Sequence, residues 1–272
     1  MWIVLLVIVI ILGLVCFLVA PGRGCEKTRQ DFYHLNLAHR GLHTKDKKVP
    51  ENSLAAFGRA ADAGYGIELD LQLSKDEQIV VFHDDTLNRV CGIDGRVDAY
   101  TYEELCNFRL CGTDEKIPLF SEVLELVDGR VPLLVEFKNG PKNNLLCSKT
   151  LPMLRAYKGL FCIESFSPFI VQWFRKNAPD ILRGQLAGPY SDMKQELPGW
   201  QAFLLSNCLL NVIARPHFIA YNVKKTSLTV RLAEAFGAMR AVWTVRPDGD
   251  IEGLKKKNEV LIFELYEPEI RF

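Results

Sequence analysis

GIELDLQLS, residues 66–74, is the stretch on which the reading of the fold turns. A β-strand sends alternate side chains to opposite faces, so Glu68 and Asp70 project together while Ile67, Leu69 and Leu71 pack on the other side. Two carboxylates sharing one face repel each other, and burying them adds a desolvation cost; a bound divalent cation offsets both. An isolated E-x-D is more often an amphipathic strand with its acids in water. The segments on either side decide between these readings.

Upstream, HLNLAHRG (34–41) reads as a strand with Leu35, Leu37 and His39 on one face, ending at Gly41. ENSLAAFGRAADAG (51–64) follows as a helix with Asn52 or Ser53 as N-cap and Gly64 as the stop. Downstream, QIVVFHD (78–84) is a strand with Ile79, Val81 and His83 in register. An excursion over 84–117 holds a capping box, Thr101 with Glu104. SEVLELVDG (121–129) is a helix opened by Ser121, and PLLVEFK (132–138) is a strand that sets Leu134, Glu136 and Lys138 on one face.

Five further strands are expected in FCIESF (161–166), ILRGQLA (181–187), HFIAYNV (217–223), AVWTVR (241–246) and VLIFELY (260–266), with helices such as 169–178 and 227–238 between them. Such alternation implies parallel pairing through right-handed crossovers. No glycine-rich phosphate loop follows the first strand, which argues against an open doubly wound sheet. The expectation is therefore an α/β fold, a TIM (β/α)8 barrel. Nine candidate strands are one too many for it, and the surplus is expected among the last four.

His39, Glu68 with Asp70, His83, and Glu136 with Lys138 each fall at the C-terminal part of a different strand. In a parallel β/α barrel that is the face on which active sites are built. Glu68, Asp70 and Glu136 offer hard oxygen ligands suited to Ca²⁺ or Mg²⁺. His39 and His83 can exchange a proton near neutral pH, and Arg40 and Lys138 can bind an anion. Together these types describe cleavage of a phosphate ester. Acyl transfer lacks a G-x-S-x-G elbow, and nucleotide hydrolysis lacks a P-loop.

The remaining composition bounds the setting. Thirty-three basic residues balance thirty-three acidic ones, which leaves no footprint for nucleic acid. Residues 2–20, WIVLLVIVIILGLVCFLVA, are an uninterrupted apolar run, long enough to cross a bilayer as a helix. No basic residue precedes the run and no A-x-A-like site follows it, which favours an anchor over a cleaved signal. Arg23, Lys27 and Arg29 come directly after it and place the rest of the chain on the cytoplasmic side of a single-pass membrane protein. The eight cysteines show no C-x-x-C pair or zinc-like spacing, although Cys106 and Cys111 lie close enough in sequence to pair in an oxidising compartment. The expected division is a transmembrane anchor at 1–21, a polar linker at 22–31 and a catalytic barrel at 32–272.

LAHRG (37–41), PENSLAAF (50–57), GIELDLQLSKD (66–76), VVFHDDTLNR (80–89), IPLFSEVL (117–124), LLVEFK (133–138), ESF (164–166) and VWTV (242–245) resemble the glycerophosphodiester phosphodiesterases over nearly all of the chain beyond the anchor. The resemblance implies a TIM barrel and metal-dependent hydrolysis of a glycerophosphodiester to an alcohol and glycerol 3-phosphate. It implies His39 and His83 as acid and base, and Glu68, Asp70 and Glu136 as metal ligands. It also implies Arg40 and Lys138 at the phosphate, and Phe166 and Trp243 as walls of the substrate pocket. Many members of that family carry a Thr-Asp pair on the terminal strand, where this chain has Phe263 and Glu264. A lysophospholipid phosphodiesterase and a catalytically silent membrane protein that binds head groups are the alternatives. The expected partners are the substrate and the lipid bilayer, with no nucleic acid and no obligate protein partner.

Overall fold

A computed structural model describes residues 1–272. Its strands are β1 (Leu35–Ala38), β2 (Gly66–Leu73), β3 (Ile79–Val81), β4 (Leu133–Phe137), β5 (Phe161–Ser165), β6 (Arg183–Ala187), β7 (Phe218–Asn222), β8 (Met239–Val245) and β9 (Val260–Phe263). Eight of them are parallel neighbours in the order β1-β2-β4-β5-β6-β7-β8-β9, and β9 pairs back onto β1 to close a barrel. The fold is a TIM (β/α)8 barrel.

The surplus strand is β3, not one of the last four. Pairing of β2 with β4 ends at Leu71, but β2 runs on to Leu73, and β3 folds back antiparallel on that extension. It leads into the excursion and is not a barrel strand, so the chain needs all of the last four strands for closure.

Period-two alternation sorts the side chains into layers. Outward residues such as Ile67, Leu69, Leu71, Val135 and Phe137 join a 30-residue core between strands and helices. Inward residues form a 13-residue apolar plug that includes Leu37, Leu134, Cys162, Phe218, Ala241 and Ile262. At β6 the inward position is Gly184, where any Cβ would collide with the Phe218 ring. Toward the C-terminal ends of the strands the inward residues change to Glu68, Asp70, Glu136 and Glu164, all buried.

Local capping follows the sequence with small shifts. Ser53, not Asn52, caps the helix Leu54–Ala63 by accepting from Ala56 N–H, and Gly64 ends it in the left-handed conformation. The next long helix, Phe120–Val127, begins ahead of Ser121, and Glu122 reaches back to accept from Leu119 N–H. The capping box of Thr101 with Glu104 forms as expected.

The N-terminal helix α1 (Trp2–Val19) is long and apolar enough to cross a membrane. Beyond it, the stretch expected as a linker is mostly a second helix, α2 (Glu26–Phe32), packed under the barrel. Phe32 joins the apolar plug, and Gly22 N–H donates to Pro216. All eight cysteines are free thiols.

Candidate active site

Glu68, Asp70 and Glu136 bring ligand oxygens within 4.8 Å of one another inside the barrel mouth. Residue partners across β2 and β4 explain this: Asp70 stands beside Glu136, so alternate residues of both strands share the inner face. Desolvation, with repulsion from Asp70 and Glu136, pushes the Glu68 carboxyl well above its ordinary range. Burial also raises Glu136, against the pull of Lys138. At Asp70 burial is outweighed by Lys138, His83, Arg40 and the Asn52 amide, which together hold it low. Asp70 Oδ1 accepts no hydrogen bond, although Lys138 Nζ lies 3.3 Å away. Three buried hard oxygens with an unused lone pair fit one divalent cation of the Ca²⁺ or Mg²⁺ kind.

The turn after β1 shapes the next layer. Arg40 and Asn52 both have left-handed backbone, with φ of 54° and 53°. This is unusual for side chains with a Cβ and is typical of functional turns. The turn aims Arg40 N–H at Glu68 Oε2 at 2.8 Å, and Asn52 N–H donates to Arg40 C=O at 2.9 Å. Asn52 Nδ2 donates to Asp70 Oδ2 at 2.8 Å, so this residue orients an acid of the cluster instead of capping a helix. Gly41 follows at φ 80°, where a Cβ would lie 2.9 Å from the Ala56 backbone.

Each histidine is held by a carboxylate. His39 Nδ1 lies 2.8 Å from Glu264 Oε2, and His39 Nε2 lies 3.9 Å from Glu68 Oε2. Desolvation lowers its pKa to about 4, against the raising effect of Glu264. His83 Nδ1 lies 2.6 Å from Asp84 Oδ1. A carboxylate only accepts, so Nδ1 of each ring carries the hydrogen and Nε2 is left as the free nitrogen. Arg89 then ties the two sides together: it donates to Asp84 at 2.6 Å and to both oxygens of Glu51 at 2.7 Å, and Glu51 accepts from Arg40 at 2.6 Å. Arg89 is thus an ion-pair partner of both Glu51 and Asp84.

His83 does not end a barrel strand, as its sequence context implied. It follows β3, whose antiparallel return carries the chain back to the rim, and Phe82 N–H donates to Asp70 C=O at 3.0 Å. Phe166 and Trp243 meet across the mouth from β5 and β8, edge to face with centroids 5.8 Å apart. Lys138 Nζ is 2.8 Å from Glu136 Oε1.

Sequence reasoning gave no role to three residues that belong here. Glu264 continues the inward alternation of Val260 and Ile262, and it accepts from Arg246 Nε at 2.6 Å on the side away from His39. Glu164 pairs in register with Glu136 and is buried, with Oε2 accepting no hydrogen bond. His43 turns inward with Nε2 3.7 Å from Glu264 Oε2. Period-two counting alone would have found the first two.

A family model described as the glycerophosphoryl diester phosphodiesterase family matches residues 39–262. The chain belongs to that family. A glycerophosphodiester phosphodiesterase of Caldanaerobacter subterraneus is 36% identical over 166 residues, which cover 56% of this chain and 66% of the relative. A lysophospholipase D of Rattus norvegicus is 34% identical over 146 residues, covering 49% of this chain and 45% of the relative. The chain spans about half the length of the curated relatives it matches. Among solved structures, an Oleispira antarctica phosphodiesterase in complex with sn-glycerol-3-phosphate superposes with a TM-score of 0.70 at 21% identity, covering 86% of this chain and 94% of that one. At that identity the likeness is one of fold: family members share this closed barrel.

Proposed function

We propose that this chain hydrolyses glycerophosphodiesters to an alcohol and glycerol 3-phosphate, with Glu68, Asp70 and Glu136 holding one divalent cation. The observation that carries the reading is the trio of buried carboxylates within 4.8 Å, flanked by two imidazoles that are each steered by an acid at Nδ1. When bound, the cation draws charge from the phosphate oxygens and eases attack at phosphorus.

The protein groups have complementary tasks. Arg40 and Lys138 neutralise the phosphate from two sides of the cluster. His39 and His83 present Nε2 to opposite ends of the reacting bond, one taking the proton of the attacking hydroxyl or water and the other giving one to the leaving alkoxide. Glu264 and Asp84 fix the tautomers that make this exchange possible. Phe166 and Trp243 wall the site and keep water from the phosphate. The proposed division of the chain is an anchor at 1–21, a connecting stretch at 22–31 and the catalytic barrel at 32–272, with the barrel on the cytoplasmic side of a membrane crossed by α1.

Release of glycerol 3-phosphate from glycerophosphocholine, measured with and without chelator, tests the activity. Wild-type protein should lose turnover on chelation and regain it with Mg²⁺ or Ca²⁺, and His39→Ala should be inactive yet folded. Turnover unaffected by chelator, or an active His39→Ala, would sink the assignment. A lysophospholipid substrate is the second reading, favoured by the apolar α1 and by the resemblance to the rat lysophospholipase D. Comparing lysophosphatidylcholine with glycerophosphocholine at equal enzyme separates the two.

A further inference from the structure

The last turn of α1 is fastened to the barrel. Val19 is buried among Ala187, Cys208, Ile219, Val230 and Ala233 on the β6–β7 flank. The last carbonyls of a helix have no partner within it, and here the barrel supplies them. Asn211 Nδ2 donates to Val19 C=O at 3.1 Å, and Arg215 Nη1 donates to Phe17 and Ala20 C=O at 2.8 Å each. The Arg215 guanidinium also lies 4.8 Å from the Phe17 ring centroid. These contacts dock the C-terminal end of α1 on one flank of the barrel, so that flank lies beside whatever surrounds α1.

That flank carries most of the large apolar groups that the folded domain exposes. Trp200 and Phe203 are 66% and 53% exposed on the helix Gly199–Ser206, and Leu228 is 77% exposed at the start of the helix Leu228–Ala235. The second of these helices packs on α1. Thr229 Oγ1 donates to Asn207 Oδ1 at 3.1 Å and ties the two together. Tyr190, Val223 and Phe169 extend the exposed set along the segments that follow β6, β7 and β5, at the mouth end of the barrel. Exposed Lys194 and Lys225 lie among them, as does Lys224 in its pair with Asp192. Aromatic and aliphatic side chains interspersed with lysines are the composition of a surface that sits at lipid head-group level.

We infer that these residues form a membrane-contact face, which seats the mouth between β5 and β7 against the bilayer that holds α1 and presents the site to a diester carrying one acyl chain. The inference rests on α1 being a membrane span and deepens the proposed reaction by naming an amphiphilic substrate class. The acyl chain would remain among the lipids while the phosphate reaches Arg40 and Lys138, a course that a substrate wholly in water does not need.

Tryptophan quenching in the full chain, reconstituted in lipid nanodiscs, tests the inference without relying on turnover. The Trp200 signal is wild type minus Trp200→Phe, and the Trp2 signal is wild type minus Trp2→Phe. In discs of brominated phosphatidylcholine both signals should lose most of their intensity relative to unbrominated discs. An unquenched Trp2 signal removes the anchor and the inference with it. A quenched Trp2 with an unquenched Trp200 overturns the contact face alone, and if such discs hold two chains, the face is covered by a second copy instead. The triple variant Trp200→Ser, Phe203→Ser and Leu228→Ser should slow lysophosphatidylcholine turnover in discs about tenfold, as expected when a few apolar groups leave lipid. Glycerophosphocholine turnover should be unchanged; equal loss on both substrates would overturn the face as a substrate device.

Discussion

Glu264→Gln should disable His39 while leaving the barrel folded. Glu264 gives Oε2 to His39 Nδ1 at 2.8 Å and Oε1 to Arg246 Nε at 2.6 Å. Glutamine can copy only one of these contacts, because it offers one acceptor oxygen and one NH2 donor. Arg246 can only donate, so the amide oxygen turns to the guanidinium and the NH2 faces His39. The ring must then accept at Nδ1, its proton moves to Nε2, and a hydrogen replaces the lone pair beside the carboxylate cluster. A wrong tautomer costs about 10⁴-fold in a serine protease triad, and loss of a carboxylate behind a metal site costs roughly 10–100-fold. Between these limits we expect a fall in kcat of about 10²–10³-fold, equivalent to about 3–4 kcal/mol of barrier, with little change in KM. The assay is the initial rate of glycerol 3-phosphate release at saturating cation, with thermal melting as the check on folding. Adding Arg246→Ala frees the amide oxygen to face His39, so the double variant should run about tenfold faster than Glu264→Gln alone. A single variant with wild-type kcat, or a double variant no faster than the single, refutes the tautomer reasoning.

Glu68→Gln should raise the stability of the metal-free protein by about 1 kcal/mol, since it removes one of three mutually repelling buried acids, while Arg40 N–H keeps an acceptor. It should also abolish the rise in Tm that wild type shows with cation, worth about 2.7 kcal/mol at a hundred times Kd; an undiminished rise, read by calorimetry, counts against the ligand set. Cation binding to wild type should release protons, detectable as a dependence of the calorimetric heat on buffer ionisation enthalpy, because the ligands Glu68 and Glu136 are raised by burial and must ionise. His217 is fully buried at the opposite end of the barrel, and its pKa is lowered to about 4 by desolvation and then by Arg183. The unfolded chain takes up that proton first, so the stabilising contribution is whole above about pH 6.5 and is lost as pH falls towards 4; about 2 kcal/mol should disappear between pH 7 and 5. His217→Gln should flatten that part of the urea-unfolding profile, and an unchanged slope would contradict it.

The barrel and most of its rim were legible because both are written in period two. Alternation on β2, β4 and β9 assigns Asp70, Glu136 and Glu264 to one interior from sequence alone, and the helices between strands fix parallel pairing. The place of β3 was not legible, because Ile79–Val81 has the composition of a barrel strand. What excludes it is pairing: β4 holds one edge of β2 as far as Leu71, β1 holds the other at Gly66 and Ile67, and β3 takes only the far end of that second edge, antiparallel at Leu71–Leu73. That far end matters chemically, since the return from it delivers His83 to a rim that the barrel strands alone would leave with one motif histidine. The charge balance was equally hidden. Glu68, Asp70, Glu136 and Glu164 are buried around Arg40 and Lys138, so four acids face two cations and two negative charges are left over. Protons or one divalent ion can supply the difference. Desolvation and mutual repulsion raise the Glu68 and Glu164 carboxyls above their ordinary range, the direction that favours the first solution while no metal is bound. Two uncompensated negative charges at a site of hard oxygens suit one divalent cation, which would take the place of those protons.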